Sequence, residues 1–192
     1  MRPLQMFTAF RPDPLGEAAG LAYRRVVEQA RQPGFFIAGG VPDTLDGRFE
    51  LICLHAFLYL RRLKRERPPA ALLGQRFFDE MFADFDRSLR EMGTGDLSVG
   101  REVKRMAEAF YGRIAAYEQG LAADGAELEA ALARNLFGTA PATPSRLAAM
   151  AGYVQREAAQ LARQGAAELL AGQVAFGDPP SVPAERAVAA ER

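Results

Sequence analysis

The chain holds one histidine, His55, and one cysteine, Cys53. Joined by carboxylates, they would be raw material for a zinc site or a thiolate–imidazole nucleophile. Both lie in an apolar run that reads as helix. Residues two apart on a helix point to different sides, so the pair cannot converge on one ion or one substrate. A buried histidine satisfied by a backbone or carboxylate group fits the pattern better. Gly93-Thr94-Gly95 is not a phosphate loop. No strand precedes it, and it lacks both the third glycine of the dinucleotide motif and the Gly-Lys of the P-loop.

The remaining candidates are paired charges. Asp84 and Arg87 are three apart, while Asp86 and Arg90, and Arg87 and Glu91, are four apart. Each pair falls on one helical face and can form an ion pair. Because the carboxylates are matched by arginines, none stands out as an acid–base dyad. Two readings stay open. The pairs are a self-neutralised solvated face, or they are a binding surface on which Asp84 and Asp86 hold Arg87 and Arg90 in place. The types present point to a binding protein without cofactor or metal rather than an enzyme.

The elements that carry these charges run from Phe77 to Arg113. Phe78, Met81, Phe82, Phe85, Leu89 and Met92 recur at helical steps, as do Val99, Val103, Met106, Phe110, Ile114 and Tyr117. Each set makes one apolar face. Gly93 can end the first helix in the left-handed conformation, and Asp96 can cap the second. The expectation is an antiparallel helical hairpin with an apolar seam.

The rest of the chain reads as helices around this hairpin. Residues 1–14 hold Pro3, Pro12 and Pro14 and form an extended lead-in. A helix from Leu15 to Arg31 stops at Pro33-Gly34. Phe35, Phe36 and Ile37 then sit in a loop, and such side chains either plug the core or wait for a partner. Asp43 with Asp46 suits a helix start. The helix from Leu45 to Glu66 is apolar almost all round, which marks it as central and buried. Its end, Arg61-Arg62-Leu63-Lys64-Arg65, either complements the helix dipole or meets an acidic partner or RNA. A short helix spans Ala126–Phe137, a long one Ser145–Gly172, and residues 177–192 read as a disordered tail. The fold class is all-α: one domain over 15–176 with about six helices, and no alternating strand pattern beyond a few residues.

The totals restrict partners. The 24 basic and 24 acidic residues cancel, so bulk charge steers neither nucleic acid nor an anionic membrane to the chain. A lone cysteine allows no internal disulfide and fits a reducing compartment. Neither a signal peptide nor a transit peptide is legible at the start. The longest apolar run, Leu51 to Leu60, contains His55 and is too short to span a bilayer.

Three ordered segments resemble the ubiquinol–cytochrome c chaperone family, relatives of the mitochondrial assembly factor for respiratory complex III. The first is Tyr23-Arg24-Arg25-Val26-Val27-Glu28-Gln29-Ala30-Arg31, with Pro33 and the pair Phe35-Phe36. The second runs from Val41-Pro42-Asp43-Thr44-Leu45-Asp46-Gly47-Arg48-Phe49-Glu50-Leu51 through Leu54-His55-Ala56-Phe57-Leu58 to Arg61-Arg62-Leu63. The third is Asp84-Phe85-Asp86-Arg87-Ser88-Leu89-Arg90-Glu91-Met92-Gly93, Gly95-Asp96-Leu97-Ser98-Val99-Gly100 and Phe110-Tyr111-Gly112-Arg113. The match covers Tyr23 to Phe137. The last helix matches only in kind, and the tail not at all.

The resemblance implies a non-enzymatic assembly chaperone that binds newly made cytochrome b, an apolar membrane-protein client. It also implies contact with the ribosomal exit and a small partner protein. The expected setting is a bacterial cytoplasm or the inner face of its membrane, with no direct nucleic-acid contact and peripheral membrane contact left open. A client groove would be lined by Phe35, Phe36 and Ile37 and rimmed by Asp84, Asp86, Arg87, Arg90, Glu91 and Asp96. The same loop as core, with the client on the charged hairpin face, is the alternative. A general helical adaptor, or a haem or quinone carrier using His55 as axial ligand, are the rival functions.

Overall fold

A computed structural model describes residues 13–123 and 125–181. Its described residues form eight helices and no strand: α1 (Pro14–Ala30), α2 (Pro33–Ile37), α3 (Leu45–Leu63), α4 (Ala70–Glu91), α5 (Asp96–Ala122), α6 (Gly125–Asn135), α7 (Pro144–Arg163) and α8 (Ala166–Leu170). The all-α expectation holds. Two five-residue helices, α2 and α8, make up the excess over the expected number.

α3 is the central helix, as its nearly uniform apolarity requires. It touches α1, α4, α5 and α7, and every residue from Cys53 to Tyr59 is buried. α1 lies mainly on α4, and α5 on α6. α4 and α5 make the expected hairpin. Gly93 turns it at φ 86°, with Gly93 N–H bonded to Arg90 C=O and Thr94 N–H to Leu89 C=O. Those two bonds satisfy carbonyls that a helix end leaves open, and the left-handed backbone suits glycine.

Several local expectations change. The segment read as a loop after Pro33 is helical through Ile37, with Pro33 in the first turn where a missing N–H costs nothing. α3 is capped by Thr44, whose Oγ1 accepts from Gly47 N–H at 3.1 Å, while Asp43 pairs with Arg48 instead. α5 is capped by Gly95; Asp96 is its first residue and makes no cap bond. The long helix read over 145–172 breaks at Gln164–Gly165, both extended with ψ near 139° and 137°. The break is captured from outside: Arg62 donates to Leu161 C=O at 2.8 Å and to Gln164 C=O at 3.1 Å. The end of α3 thus supplies the partners that the end of α7 lacks.

After α8 the chain runs back as an extended strap. Gln164 Nε2 donates to Gln173 C=O at 2.5 Å, Gln160 to Ala175 C=O at 3.2 Å and Gln29 to Gly177 C=O at 2.7 Å. Gly177 N–H donates to Glu157 at 2.7 Å, and Pro180 is buried. Residues 177–181, read as the start of the tail, therefore pack on the helices. Residues 182–192 and most of the 1–14 lead-in lie outside the described residues.

Candidate functional site

The charged residues of the hairpin gather at its tip. Arg87 Nη2 lies 2.5 Å from Asp84 Oδ1. The other oxygen of Asp84 accepts from Tyr23 O–H at 2.8 Å, which ties α4 to α1. Arg90 Nε lies 2.7 Å from Asp86, and its Nη1 contacts Asp96 on α5. One guanidinium therefore clasps both arms across the turn, using the planar fork that arginine offers and lysine does not. The hydrogen bond from Arg90 holds the Asp86 carboxyl below its usual range, which favours its charged form. Glu91 is exposed and attracts Arg87 at longer range.

Beside these charges lie apolar side chains with no cover. Leu97 is 96% exposed and Met92 53%. Met92 had the spacing of a seam residue, but the α4 seam ends before it. Leu97 falls off the Val99–Val103 period, and that offset was the available signal for an outward leucine.

The aromatic triplet after α1 is divided. Phe35 is fully buried, with its ring edge-on to Tyr153 and His55 at 5.1 and 5.2 Å between centroids. It is a core residue and cannot line a groove open to solvent. Phe36 is half-buried under the Arg48 guanidinium, 5.9 Å from its ring. Ile37 is 78% exposed, and Leu45 of α3 is also exposed. Among the described residues no hydrogen bond, ion pair or ring contact joins Phe36 or Ile37 to the hairpin tip. They are linked to it through the first turns of α3, where Phe49 packs on Phe85 of α4 at 5.3 Å. Arg113 of α5 lies over the Phe49 ring at 5.5 Å and forms a two-pronged pair with the nearly buried Glu50. Burial pushes the Glu50 carboxyl up, with Arg113 pulling the other way. Sequence reasoning missed Arg48, Phe49, Glu50 and Arg113 as the joint between the two parts.

The groups that nucleophilic or metal chemistry would use are closed. Cys53 is wholly buried, and burial raises its thiol well above the ordinary range. His55 Nδ1–H donates to Leu51 C=O at 2.7 Å, which leaves Nε2 to accept from Tyr153 O–H at 2.7 Å. Gln29 in turn donates to Tyr153 at 3.1 Å. Burial lowers the His55 pKa to about 4, so the ring is neutral, and neither nitrogen is open to a haem iron. Among the described residues no group of three or more His, Cys, Asp or Glu could hold a metal ion, and no helix is long and apolar enough to cross a membrane.

Comparison with known proteins agrees with this architecture. The crystal structure of the Cbp3 homolog from Brucella abortus superposes with a TM-score of 0.76 at 39% identity, over 85% of this chain and 91% of that one. Ubiquinol-cytochrome-c reductase complex assembly factor 1 of Xenopus laevis is 29% identical over 160 residues, 83% of this chain and 80% of the frog protein. The human protein of the same name is 28% identical over 83% of this chain, which spans about half of its length (54%). The family model for ubiquinol-cytochrome C chaperone matches residues 38–176. With most of its helical body inside that match, the chain belongs to the ubiquinol-cytochrome C chaperone family.

Proposed function

We propose that this chain is a non-enzymatic assembly factor for ubiquinol–cytochrome c reductase that holds cytochrome b, an apolar membrane-protein subunit, before it is assembled. The setting is a bacterial cytoplasm or the inner face of its membrane. The client meets the α4–α5 tip, where Met92 and Leu97 offer apolar contact inside a lattice of Asp84, Asp86, Arg87, Arg90, Glu91 and Asp96. Phe36 and Ile37 extend the surface along the start of α3, with Phe35 as fixed floor beneath them.

One observation carries this reading: a leucine 96% exposed beside a guanidinium locked between carboxylates of two helices. Exposed ion pairs add little to stability. Apolar anchors within a pre-ordered polar rim are what binding surfaces use, because side chains already fixed lose less entropy on association. The family membership and the names of the relatives support the assembly role, and the choice of cytochrome b as client is part of the proposal.

The test is crosslinked co-purification of the tagged protein from its own cells. Cytochrome b should be recovered with the wild type and lost with Arg87→Glu/Arg90→Glu and with Leu97→Asp, each checked for native helicity. Recovery unchanged in both variants moves the client off the tip. Absence of cytochrome b from the wild-type sample defeats the client reading itself.

A further inference from the structure

The end of the molecule where α3 meets α4 carries cations that no described carboxylate neutralises. Arg61 reaches Glu118 at 2.8 Å, and Arg62 is consumed by Glu66 and the carbonyls of α7. Lys64, Arg65 and Arg67 are exposed, and no described carboxylate pairs with them. Arg163, the last residue of α7, is exposed and equally unpaired. Arg62 binds the backbone on both sides of it, so α7 ends at this same corner. The hairpin arginines Arg87 and Arg90, by contrast, both have carboxylate partners.

An apolar prow projects beside these cations. The turn continues through exposed Pro68 and Pro69 into α4, whose first turns lie against α3, with Gly74 close to the Leu60 and Leu63 side chains. Leu73 is buried by that packing, and Leu72 is left 51% exposed on the outer side.

We propose that this corner docks on an anionic phospholipid surface, with Lys64, Arg65, Arg67 and Arg163 over the headgroups and Leu72 entering the interface. The charge explains the attraction, since basic clusters bind anionic membranes additively and lose hold with salt. The leucine favours lipid over nucleic acid: the corner offers an apolar side chain but no exposed aromatic ring on which a base could stack. The chain's zero formal net charge makes the contact a local one, oriented by this corner alone. The proposal stands apart from the client reading, because the hairpin tip and this corner use different residues.

The experiment is co-sedimentation of the full chain with phosphatidylcholine vesicles, with and without phosphatidylglycerol. Binding is expected only with phosphatidylglycerol and should fall as salt rises. At about fivefold per cation, Lys64→Gln/Arg65→Gln/Arg67→Gln should lower partitioning by about a hundredfold. Leu72→Ser should lower it further, and Arg101→Gln/Lys104→Gln/Arg105→Gln on α5 should leave it unchanged. Circular dichroism and thermal melting check that each variant is folded. Failure of the wild type to bind phosphatidylglycerol vesicles overturns the proposal, as does binding that the corner variant retains. So does preferential binding of a single-stranded RNA oligomer through the same three residues, which would assign the corner to nucleic acid. Cytochrome b capture is a separate readout, so either assignment can fail without the other.

Discussion

Arg113 and Arg90 belong to the same helical hairpin, and each holds a carboxylate on another element. Arg113 grips Glu50 where α3, α4 and α5 converge, with side chains 17% and 8% exposed. Arg90 grips Asp86 and Asp96 in water, the last 87% exposed. The bonds are chemically alike, and the solvent decides what they are for. Breaking one side of the inner pair strands a charge where water cannot reach it. Breaking the outer pair returns both partners to water, so the pair adds little to stability and is free to serve the proposed docking surface.

The widest test of that contrast is Arg113→Met. It should cost about 3–5 kcal/mol in denaturant unfolding, because Glu50 is left buried and unpaired. The double variant Arg113→Met/Glu50→Leu should recover much of that loss. A cost below about 1 kcal/mol for the single change would erase the distinction between the two sites.

Next comes acid. The folded His55 titrates at about 4 and the free side chain near 6.5, so the unfolded chain binds more protons between these values. Stability should therefore fall as pH drops from about 6.5 to 4, by roughly 3 kcal/mol in full. His55→Asn should flatten the pH dependence of the melting temperature in this window. An unchanged slope would mean that the histidine is not what the acid attacks.

Tyr153→Phe removes the hydroxyl that joins Gln29 to His55 and should cost about 1–3 kcal/mol by leaving buried groups unpaired. Smallest of all is Arg90→Ala, expected to leave the thermal and urea midpoints close to wild type. A loss as large as that of Arg113→Met would make the tip a structural clasp and weaken its case as a docking surface.

The hairpin, its glycine turn and the buried α3 were legible because they rest on local signals: period, breaker and composition. The ion pairs Asp84–Arg87 and Asp86–Arg90 were legible for the same reason, as neighbours on one helical face. The Arg90–Asp96 bridge was not, because it depends on how the turn brings two helices together. Phe35 and Leu97 show the same limit from opposite sides. An aromatic in a turn-like segment became core through rings on α3 and α7, while a leucine in a seam-rich segment faces outward because its register misses the seam by two positions. Arg62 reads as an ordinary helix-end cation. Its partners are carbonyls about 100 residues away, at |i−j| of 99 and 102, which no spacing rule reports.

The strap has a consequence for how the chain is made. Gln29 finds its carbonyl on Gly177, 148 positions later. Gly172 approaches Ala18 of α1 so closely that a side chain there would collide with its carbonyl oxygen. The first helix described is thus finished by nearly the last residues described. On a ribosome, α1 can rest on α4 as soon as α4 emerges, but its far side stays open until synthesis has passed Gly177. Closure of this domain therefore waits for the strap, and a chain stopped short of Gly177 should stand out as an unlatched, protease-sensitive species.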